Sequence, residues 1–208
     1  MRRWVYPDGM ATATSSADTR QRIMTATNEL FRRQGFNGTS LSQIVKASQS
    51  TTGSVYHFFP GGKDELTAAV LRESGAAYGE LVELMIRDAA DPAVGMADAF
   101  AGAAAVLAST DFIDPCPIGT IAREVASTHD ALRGVAAMVM TGWTDSMVAI
   151  FVDAGIAKER AHGLSTLSIA AIEGAFVLAR THRDVAGFLA VGEMLATTIR
   201  AELPPTHL

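Results

Sequence analysis

A short polar stretch near the start of the chain has the residue types and spacing that suit contact with nucleic acid. Residues 52–59 have helical periodicity, and Val55 and Phe59 share one side of that helix. The other side carries Thr52, Gly53, Ser54, Tyr56 and His57. Hydroxyl groups and backbone amides at a helix start bind phosphate oxygens, and Ser and Thr also contact base edges. Taken alone, the same residues are explained equally well as caps and fillers of a turn.

Three helices would position this face. The first is predicted to begin at Asp18, which precedes Gln21 at capping-box spacing, and Gly35 supplies a left-handed stop. The second and third helices are predicted over residues 40–48 and 52–59. Two short helices joined by a turn of about four residues form a helix-turn-helix, which lays its second helix in a DNA major groove.

A longer set of residues at fixed spacing surrounds this motif. Its members are Ile23, Ala26, Leu30, Phe31, Gly35, Phe36, Thr39, Gly53, Tyr56, Phe59, Lys63 and Leu66. The set resembles the DNA-binding signature of the TetR/AcrR family of bacterial transcriptional regulators, over about residues 19–70. The resemblance implies an N-terminal helix-turn-helix domain followed by a helical domain that binds a ligand and forms the dimer.

The resemblance also implies roles for individual residues. Thr39 and Ser40 are expected to contact the phosphate backbone, Thr51 to cap the third helix, and Lys63 to pair with a phosphate. The residues expected to face the groove and the backbone are Thr52, Gly53, Ser54, Tyr56 and His57. Few of these side chains are cationic, so we expect affinity to depend on two half-sites.

The sequence departs from the family pattern in the turn and after the third helix. Gln49 stands where the turn usually has Gly, and Ser50 stands where it usually has an apolar residue, so we expect a strained or reshaped turn. One additional Gly lies between Pro60 and Lys63. That Gly and the later run at residues 116–119 resemble the branch that includes lincomycin-resistance repressors.

Charge is distributed unevenly along the 208 residues, whose formal net charge is −5. Residues 1–74 hold nine Lys and Arg against six Asp and Glu, which gives 9 − 6 = +3. Residues 75–208 hold eight against sixteen, which gives 8 − 16 = −8. The net charge of the whole chain is therefore the sum of a mildly basic N-terminal part, where we expect DNA contact, and an acidic remainder.

The periodicity is helical throughout and predicts an all-α fold of about nine helices. We expect a flexible arm over residues 1–17, the helix-turn-helix domain over 18–66 and the ligand-binding and dimerisation domain over 67–208. The later helices are predicted near residues 63–89, 92–108, 117–127, 129–154, 157–182 and 184–203.

The long C-terminal part offers large rings and flexible Met side chains for an apolar pocket. The candidate ligand-binding residues are Phe100, Phe112, Ile118, Ile121, Met138, Trp143, Met147, Phe151, Phe176 and Glu173. Arg123, Glu124 and His129 are further polar candidates, although a surface ion pair better explains Arg123 and Glu124. Packing of a hydrophobic core explains the apolar members of this set as well.

The last two helices carry small residues among large apolar ones, which allows helices to approach closely. The predicted faces are Leu164, Leu167, Ala171, Gly174 and Leu178, then Phe188, Leu189, Gly192, Leu195 and Ile199. Two such helices from each subunit would form a four-helix dimer interface, although packing within one chain explains the pattern nearly as well. Symmetric reading of two DNA half-sites favours a homodimer.

Composition argues against other classes of function. Cys116 is the only cysteine, and no two His have ligand spacing on one helix face, so we expect neither a metal nor a cofactor. No local Cys and His spacing supports an enzyme. No uninterrupted apolar run approaches the ~20 residues of a membrane span, and the first residues lack a signal-peptide core, which favours the cytoplasm.

The sequence therefore predicts a homodimeric repressor that binds a palindromic double-stranded DNA operator. A small, mostly apolar or aromatic effector is expected to release it from DNA. The alternatives are a helical interaction protein of the same fold that does not bind DNA and, ranked last, an enzyme that uses the cavity of the body.

Overall fold

The computed structural model describes residues 16–113 and 115–205. Over these residues the chain forms nine α-helices and no strand. They are α1 (Ser16–Gln34), α2 (Leu41–Ala47), α3 (Thr52–Phe58), α4 (Gly62–Arg87), α5 (Pro92–Ser109), α6 (Pro117–Val125), α7 (Asp130–Asp153), α8 (Lys158–His182) and α9 (Ala186–Glu202). The all-α prediction is confirmed, and each predicted helix is present within a few residues of its expected bounds.

The helix ends follow the chemistry of the local sequence. Gly35 ends α1 with a left-handed φ of 74° and donates its N–H to the carbonyl of Phe31 at 2.9 Å. At α2, Ser40 and Gln43 form the predicted capping box. Helix α1 begins two residues before the predicted Asp18, so Ser16 is helical, and the remaining residues of the predicted arm, 1–15, lie outside the described part.

Two hydrophobic clusters form the core. The body cluster is centred on Phe100, Phe151 and Phe188 and is built mainly from α5, α7, α8 and α9. The second, which we call the junction cluster, joins α1, α2 and α3 to α4, α6 and the start of α7. Its largest buried side chains include Phe31, Ile44, Leu66, Ile118 and Ile121. We call α1–α3 the head and α5–α9 the body.

Helix α4 connects the head to the body without a break. It contacts α1 on the head side and α5, α6 and α7 on the body side. The predicted domain boundary between residues 66 and 67 lies inside this helix, where Leu66 and Val70 both pack in the junction cluster. The division into two domains at that point stays a prediction.

Three helices of the body, Pro92–Ser109, Asp130–Asp153 and Lys158–His182, are long and apolar enough to cross a membrane by length and composition alone. The sequence expectation rested on uninterrupted apolar runs, and it missed these helices because isolated charged and polar residues interrupt them. In the structure α5 packs on α9, and α7 packs on α8.

The structure corrects the predicted faces of α8 and α9. Phe188, Gly192, Leu195, Ile199 and Leu164 are buried inside the chain rather than presented to a partner. Of the predicted residues, Leu167, Leu178 and Leu189 are exposed at 47%, 52% and 42%. Periodicity identified apolar helices correctly, but α9 is apolar on two sides, and only packing decides which one faces inward.

The close approach of α9 to α5 predicts a large effect of one methyl group. A Cβ at Gly192 would lie 2.6 Å from the Cβ of Phe100, and neither backbone can move easily in the core. Gly192→Ala is therefore expected to lower the free energy of unfolding by about 1–3 kcal/mol, measured by urea denaturation. Gly142→Ala is the matched control, because a Cβ there meets no atom within 4 Å. Because Ala has a higher helix propensity than Gly, Gly142→Ala should leave the free energy of unfolding unchanged or raise it by up to about 1 kcal/mol. Equal losses of stability in both variants would contradict the packing argument.

Candidate nucleic-acid interface

Helix α3 presents the polar face that the sequence predicted. Val55 and Phe59 are 1% and 2% exposed and hold the helix on the junction cluster. Tyr56 is 48% exposed, and His57 lies beside it on the surface with its ring against that of Phe58. The other members of the predicted set also reach the surface, Thr52 and Gly53 fully and Ser54 in part. The face is thus polar, contains no Lys, Arg, Asp or Glu, and is open to a partner.

The start of α3 is capped as predicted. The Thr51 hydroxyl accepts the N–H of Ser54 at 3.0 Å, and the two hydroxyls are 2.9 Å apart. A surface cleft of about 460 Å³ opens next to this cap, between the start of α1 and one edge of α3. Ser16, Thr19, Thr51, Gly53, Ser54, His57 and Phe58 line it. Hydroxyls and backbone N–H groups at this edge have the chemistry that phosphate oxygens require.

The turn between α2 and α3 is strained at the position where the family usually has Gly. Gln49 adopts a left-handed φ of 51°, which costs a residue with a Cβ about 1 kcal/mol or more. Ser48 and Ser50 hold the turn, because their hydroxyls are 2.7 Å apart and Ser48 also donates to the carbonyl of Ile44 at 2.7 Å. The expectation of a strained turn is confirmed.

Ser40 and Thr39 differ in what they offer to DNA. Ser40 is exposed at the start of α2, as a phosphate contact requires. Thr39 is only 1% exposed, and its hydroxyl donates to the carbonyl of Gly35 at 2.7 Å. The expectation that the Thr39 side chain contacts the phosphate backbone is therefore corrected. Thr39 shapes the turn that places Ser40 at the surface.

Lys63 turns towards the protein. Its ammonium group donates to the carbonyl of Phe36 at 2.6 Å and lies 3.9 Å from the centre of the Phe36 ring. Partial burial is the main cause of the lowered pKa of Lys63, which the nearby Asp64 and Glu124 oppose. An ammonium has three N–H donors, and one of those of Lys63 already holds the turn after α1. Contact of the other donors with a phosphate stays a prediction.

The same turn is held from the other side by the body. A carboxylate oxygen of Glu124, on α6, accepts the N–H of Asn37 at 2.7 Å. The ring of His129 meets the ring of Phe36 edge to face at 5.1 Å between centroids. Sequence reasoning considered Glu124 and His129 as polar groups of a ligand pocket, and Glu124 also as a member of a surface ion pair. No sequence pattern links residues 87 positions apart, so this contact was not predictable.

The predicted ligand-binding residues do not line a single cavity. Phe100, Met147 and Phe151 are buried in the body cluster, whereas Ile118 and Ile121 are buried in the junction cluster. Trp143 and Phe176 are half-buried and pack against both clusters. The Trp143 indole also donates to the carbonyl of Gly75 at 2.7 Å, which fixes it against α4.

Two members of the set reach the surface: Met138 is exposed, and Phe112 is half-buried because it also packs against the body cluster. Met138 is 63% exposed on α7, so its assignment to an interior pocket is corrected; a single Met at helical spacing does not reveal which side of the helix it occupies. Phe112 lies after the end of α5 and lines a surface cleft.

Glu173 is the one acidic side chain of the predicted set, and it lies where the two clusters meet. Among the described residues, one carboxylate oxygen is buried with no N–H or O–H donor within hydrogen-bond distance, and the other is 3.4 Å from the guanidinium of Arg123. The carboxylate lies across Gly119, where a Cβ would overlap it. Burial raises the pKa of Glu173, which Cys116 and Arg123 oppose, and burial likewise raises the pKa of the Cys116 thiol well above its ordinary value.

The raised pKa of Glu173 gives stability a predictable pH dependence. The folded state holds the proton more tightly than the unfolded state, so stability falls as pH rises from 4.5, the ordinary value, through the raised pKa. Glu173→Gln removes this titration and should become progressively more stable relative to the parent as the pH rises from 4.5 through the raised pKa, measured by urea unfolding. Glu193→Gln, at an exposed position on α9, should show no such trend. A difference between Glu173→Gln and the parent that is the same at every pH would contradict the prediction.

Comparison with known proteins places these features in a family. Residues 23–70 match the family model "Bacterial regulatory proteins, tetR family". Residues 92–194 match the model "Transcriptional regulator LmrA/YxaF-like, C-terminal domain". The chain is 32% identical over 187 residues to the uncharacterized HTH-type transcriptional regulator YxaF of Bacillus subtilis, which covers 90% of this chain and 98% of YxaF.

Solved structures share the fold. The regulatory protein TetR from Rhodobacter sphaeroides has a TM-score of 0.77 at 19% identity and covers 86% of this chain and 97% of its own. A cysteine mutant of the TetR family regulator CifR, complexed with a 26-base-pair operator DNA, has a TM-score of 0.67 at 22% identity and covers 94% and 100% of the two chains. The helix-turn-helix, the helical body and both matches agree with the predicted family and branch. The chain belongs to the TetR family of bacterial transcriptional regulators, with a C-terminal domain of the LmrA/YxaF-like type, and is not an enzyme.

Proposed function

We propose that the protein is a repressor that binds a palindromic operator as a homodimer and leaves it when a small molecule binds the body. The observation that carries the proposal is the exposed polar face of α3, which is held rigidly from behind by Val55 and Phe59. A helix presented in this way enters a DNA major groove, and residues near its N-terminus contact base edges and phosphates. The CifR relative was captured with operator DNA, which supports this use of the fold.

The DNA-contacting set we propose divides into two roles. Thr52, Gly53, Tyr56 and His57 face the groove, and Gly53 lets the backbone approach because nothing but Thr51 lies near the site of its absent Cβ. The residues proposed to bind the flanking phosphates are Ser40, Thr51, Ser54 and Lys63. This surface carries little positive charge, so one head supplies little nonspecific affinity, and two half-sites are needed.

The dimer is proposed to form through the outward faces of α8 and α9. Leu167 and Leu178 are exposed along α8, and Gly174 between them has open space where a Cβ would stand. On α9, Leu189 and Met194 are exposed at 42% and 68%. Apolar side chains beside small residues allow four helices from two subunits to pack closely. The symmetric pair then spaces two heads for two half-sites.

Release by an effector is proposed to use the region where the two clusters meet. Trp143 and Phe176 contact both clusters, and the partnerless carboxylate oxygen of Glu173 lies at the same boundary. The other apolar residues of the predicted set would surround a molecule that opens this boundary. Because Glu124 holds the turn at Asn37, a shift of α6 caused by the effector would reach the head directly. A ligand that favours the DNA-incompetent spacing of the heads then weakens operator binding.

The cytoplasm is the proposed location, since the operator is there, and no membrane partner is proposed. Of the three long apolar helices, α7 and α8 pack on each other, and α5 packs on α4 and α9. The competing function is a helical interaction protein that keeps the fold without binding DNA. Selection from a library of duplex DNA distinguishes it from a repressor.

DNA binding is tested by selection from a random library of duplex DNA with the full-length protein. The expected result is enrichment of a palindrome whose half-sites lie about one helical turn apart. On the selected duplex, Tyr56→Ala should weaken binding by about fivefold or more in gel-shift titrations, because a groove contact is lost without disturbing the core. Met138→Ala, an exposed substitution on α7, should leave affinity unchanged. Failure to enrich any sequence would favour the interaction protein.

Dimerisation is tested by one carboxylate on the α8 face. In a twofold interface Leu167→Asp places like charges near each other in an apolar contact, so light scattering should show the mass of one chain where the parent shows that of two. Leu84→Asp is the matched control, since Leu84 is 55% exposed on α4, away from α8 and α9. A parent of one-chain mass, or a Leu167→Asp variant that stays dimeric, would contradict the proposed interface.

A further inference from the structure

A second cleft, separate from the α3 face, opens where the head meets the body. It has a volume of about 420 Å³ and lies between the end of α1, the segment after α5 and the end of α8. Arg33, Asp111, Phe112, Ile113, Val177, Arg180, Thr181 and Arg183 line it. We call it the junction cleft. Three of its side chains are arginines and one is acidic, so its lining has a net positive charge in a chain that is acidic overall.

The positive charge of the junction cleft is only partly used within the protein. Arg183 forms an ion pair with Asp111. Arg180 donates its Nε to the carbonyl of Phe112 at 3.1 Å, which leaves its terminal N–H groups without an assigned acceptor. Arg33 takes part in no hydrogen bond or ion pair among residues 16–113 and 115–205. The unpaired guanidinium of Arg33 and the outer part of Arg180 thus line the same cleft.

DNA does not explain these arginines. Thr19 lines the cleft beside α3, and Arg33 follows it by fourteen residues on the same helix. At 1.5 Å per residue the two positions are about 21 Å apart, so Arg33 lies at the end of α1 far from the proposed groove contacts. Arg180 and Arg183, which line the same cleft, belong to α8 and the residue after it, so this cleft is separate from the α3 face.

Stabilisation of helix ends explains the arginines only in part. Helices α1, α5 and α8 all end near the junction cleft, and cations are favourable at such ends. Backbone bonds already satisfy carbonyls there, because Phe112 donates its N–H to Leu107 at 2.9 Å and Asp184 donates to Ala179 at 3.2 Å. Arg183, at the end of α8, forms an ion pair with Asp111, whereas Arg33 has no ion-pair partner among the described residues.

The backbone around the junction cleft is strained. Asp111, Phe112 and Arg183 have φ values of 53°, 61° and 54° in the left-handed region, although none of them is Gly. Such conformations cost about 1 kcal/mol or more each and cluster at binding sites. Here they bring the ring of Phe112 beneath the guanidinium of Arg183, 5.5 Å from the ring centre.

We propose that the junction cleft binds an organic anion that has an aromatic part. Its acid group would pair with Arg33 and Arg180, because guanidinium groups bind carboxylates and phosphates in charge-assisted pairs. Its ring would lie on the apolar wall formed by Phe112, Ile113 and Val177. The volume suits a small molecule. Because Arg33 belongs to the head and Arg180 to the body, one bound molecule would tie the two together, a role distinct from that of an effector between the clusters.

The test is a calorimetric titration of the full-length protein with phenyl phosphate, without DNA. Val177 and Thr181 also lie on the outward face of α8, so the protein is used in whatever oligomeric state it adopts. We expect a dissociation constant of about 1 mM or tighter, and weaker binding of inorganic phosphate, which lacks the ring. Arg33→Gln should weaken phenyl phosphate binding about tenfold or more. Arg72→Gln, which removes an exposed arginine of α4 outside the cleft, should leave it unchanged.

Three results would overturn the proposal. The first is that the parent protein does not bind phenyl phosphate. The second is that Arg33→Gln binds it as tightly as the parent and as the control Arg72→Gln. The third is that inorganic phosphate binds as tightly as phenyl phosphate, which would show that the ligand needs no aromatic part. Urea unfolding of both variants separates binding from folding, since a purely structural Arg33 would lower stability and leave the titration unaltered. The titration contains no operator, so its failure leaves the proposed repressor function to its own test.

Discussion

The head cannot bury a core of its own, and most of the architecture follows from that constraint. Residues 16–58 form three helices, and a unit of this size lacks the apolar surface to fold alone without a disulfide, a metal or a partner. The head instead completes its core with side chains of α4, α6 and α7. The junction cluster is therefore both the core of the DNA-binding part and the attachment of that part to the body.

This shared core explains why a few polar contacts lie where they do. Phe36 follows the left-handed Gly35 and is held by the ammonium of Lys63 and the ring of His129, while Glu124 accepts the next backbone N–H. A displaced α6 would change the carboxylate, the ring and the apolar surface under the head at once. The polar face of α3 is exposed, whereas Val55 and Phe59 pack in the junction cluster, so the exposed face and the packing against the body use different side chains.

Local signals in the sequence predicted much of the fold, because the physics behind them is local. The capping box at Ser40, the glycine stop at Gly35 and the outward side of α3 depend on residues within a few positions. Even the strain at Gln49 followed from a missing Gly. Thr39 was misplaced because its hydroxyl bonds back to the turn, which the family resemblance did not reveal.

The interior of the body could not be predicted in the same way. Almost every helix there is apolar on more than one side, so periodicity did not separate the buried Phe188 and Ile199 from the exposed Met138. Nor did it show that the candidate residues for one pocket divide between two clusters. Those outcomes depend on contacts between residues far apart in the chain, such as Trp143 on Gly75 or Asn37 on Glu124. One sequence does not record such pairs.

The continuity of α4 has a consequence for exchanging parts between relatives. A hybrid joined within that helix would keep a straight connection but would set the head of one protein on the α6 and α7 surfaces of another. The side chains around Ile118 and Ile121 would then meet foreign partners in a closely packed core. A transplanted head should bring α6 and the first turns of α7 with it, so the unit that evolution can shuffle is discontinuous in the chain.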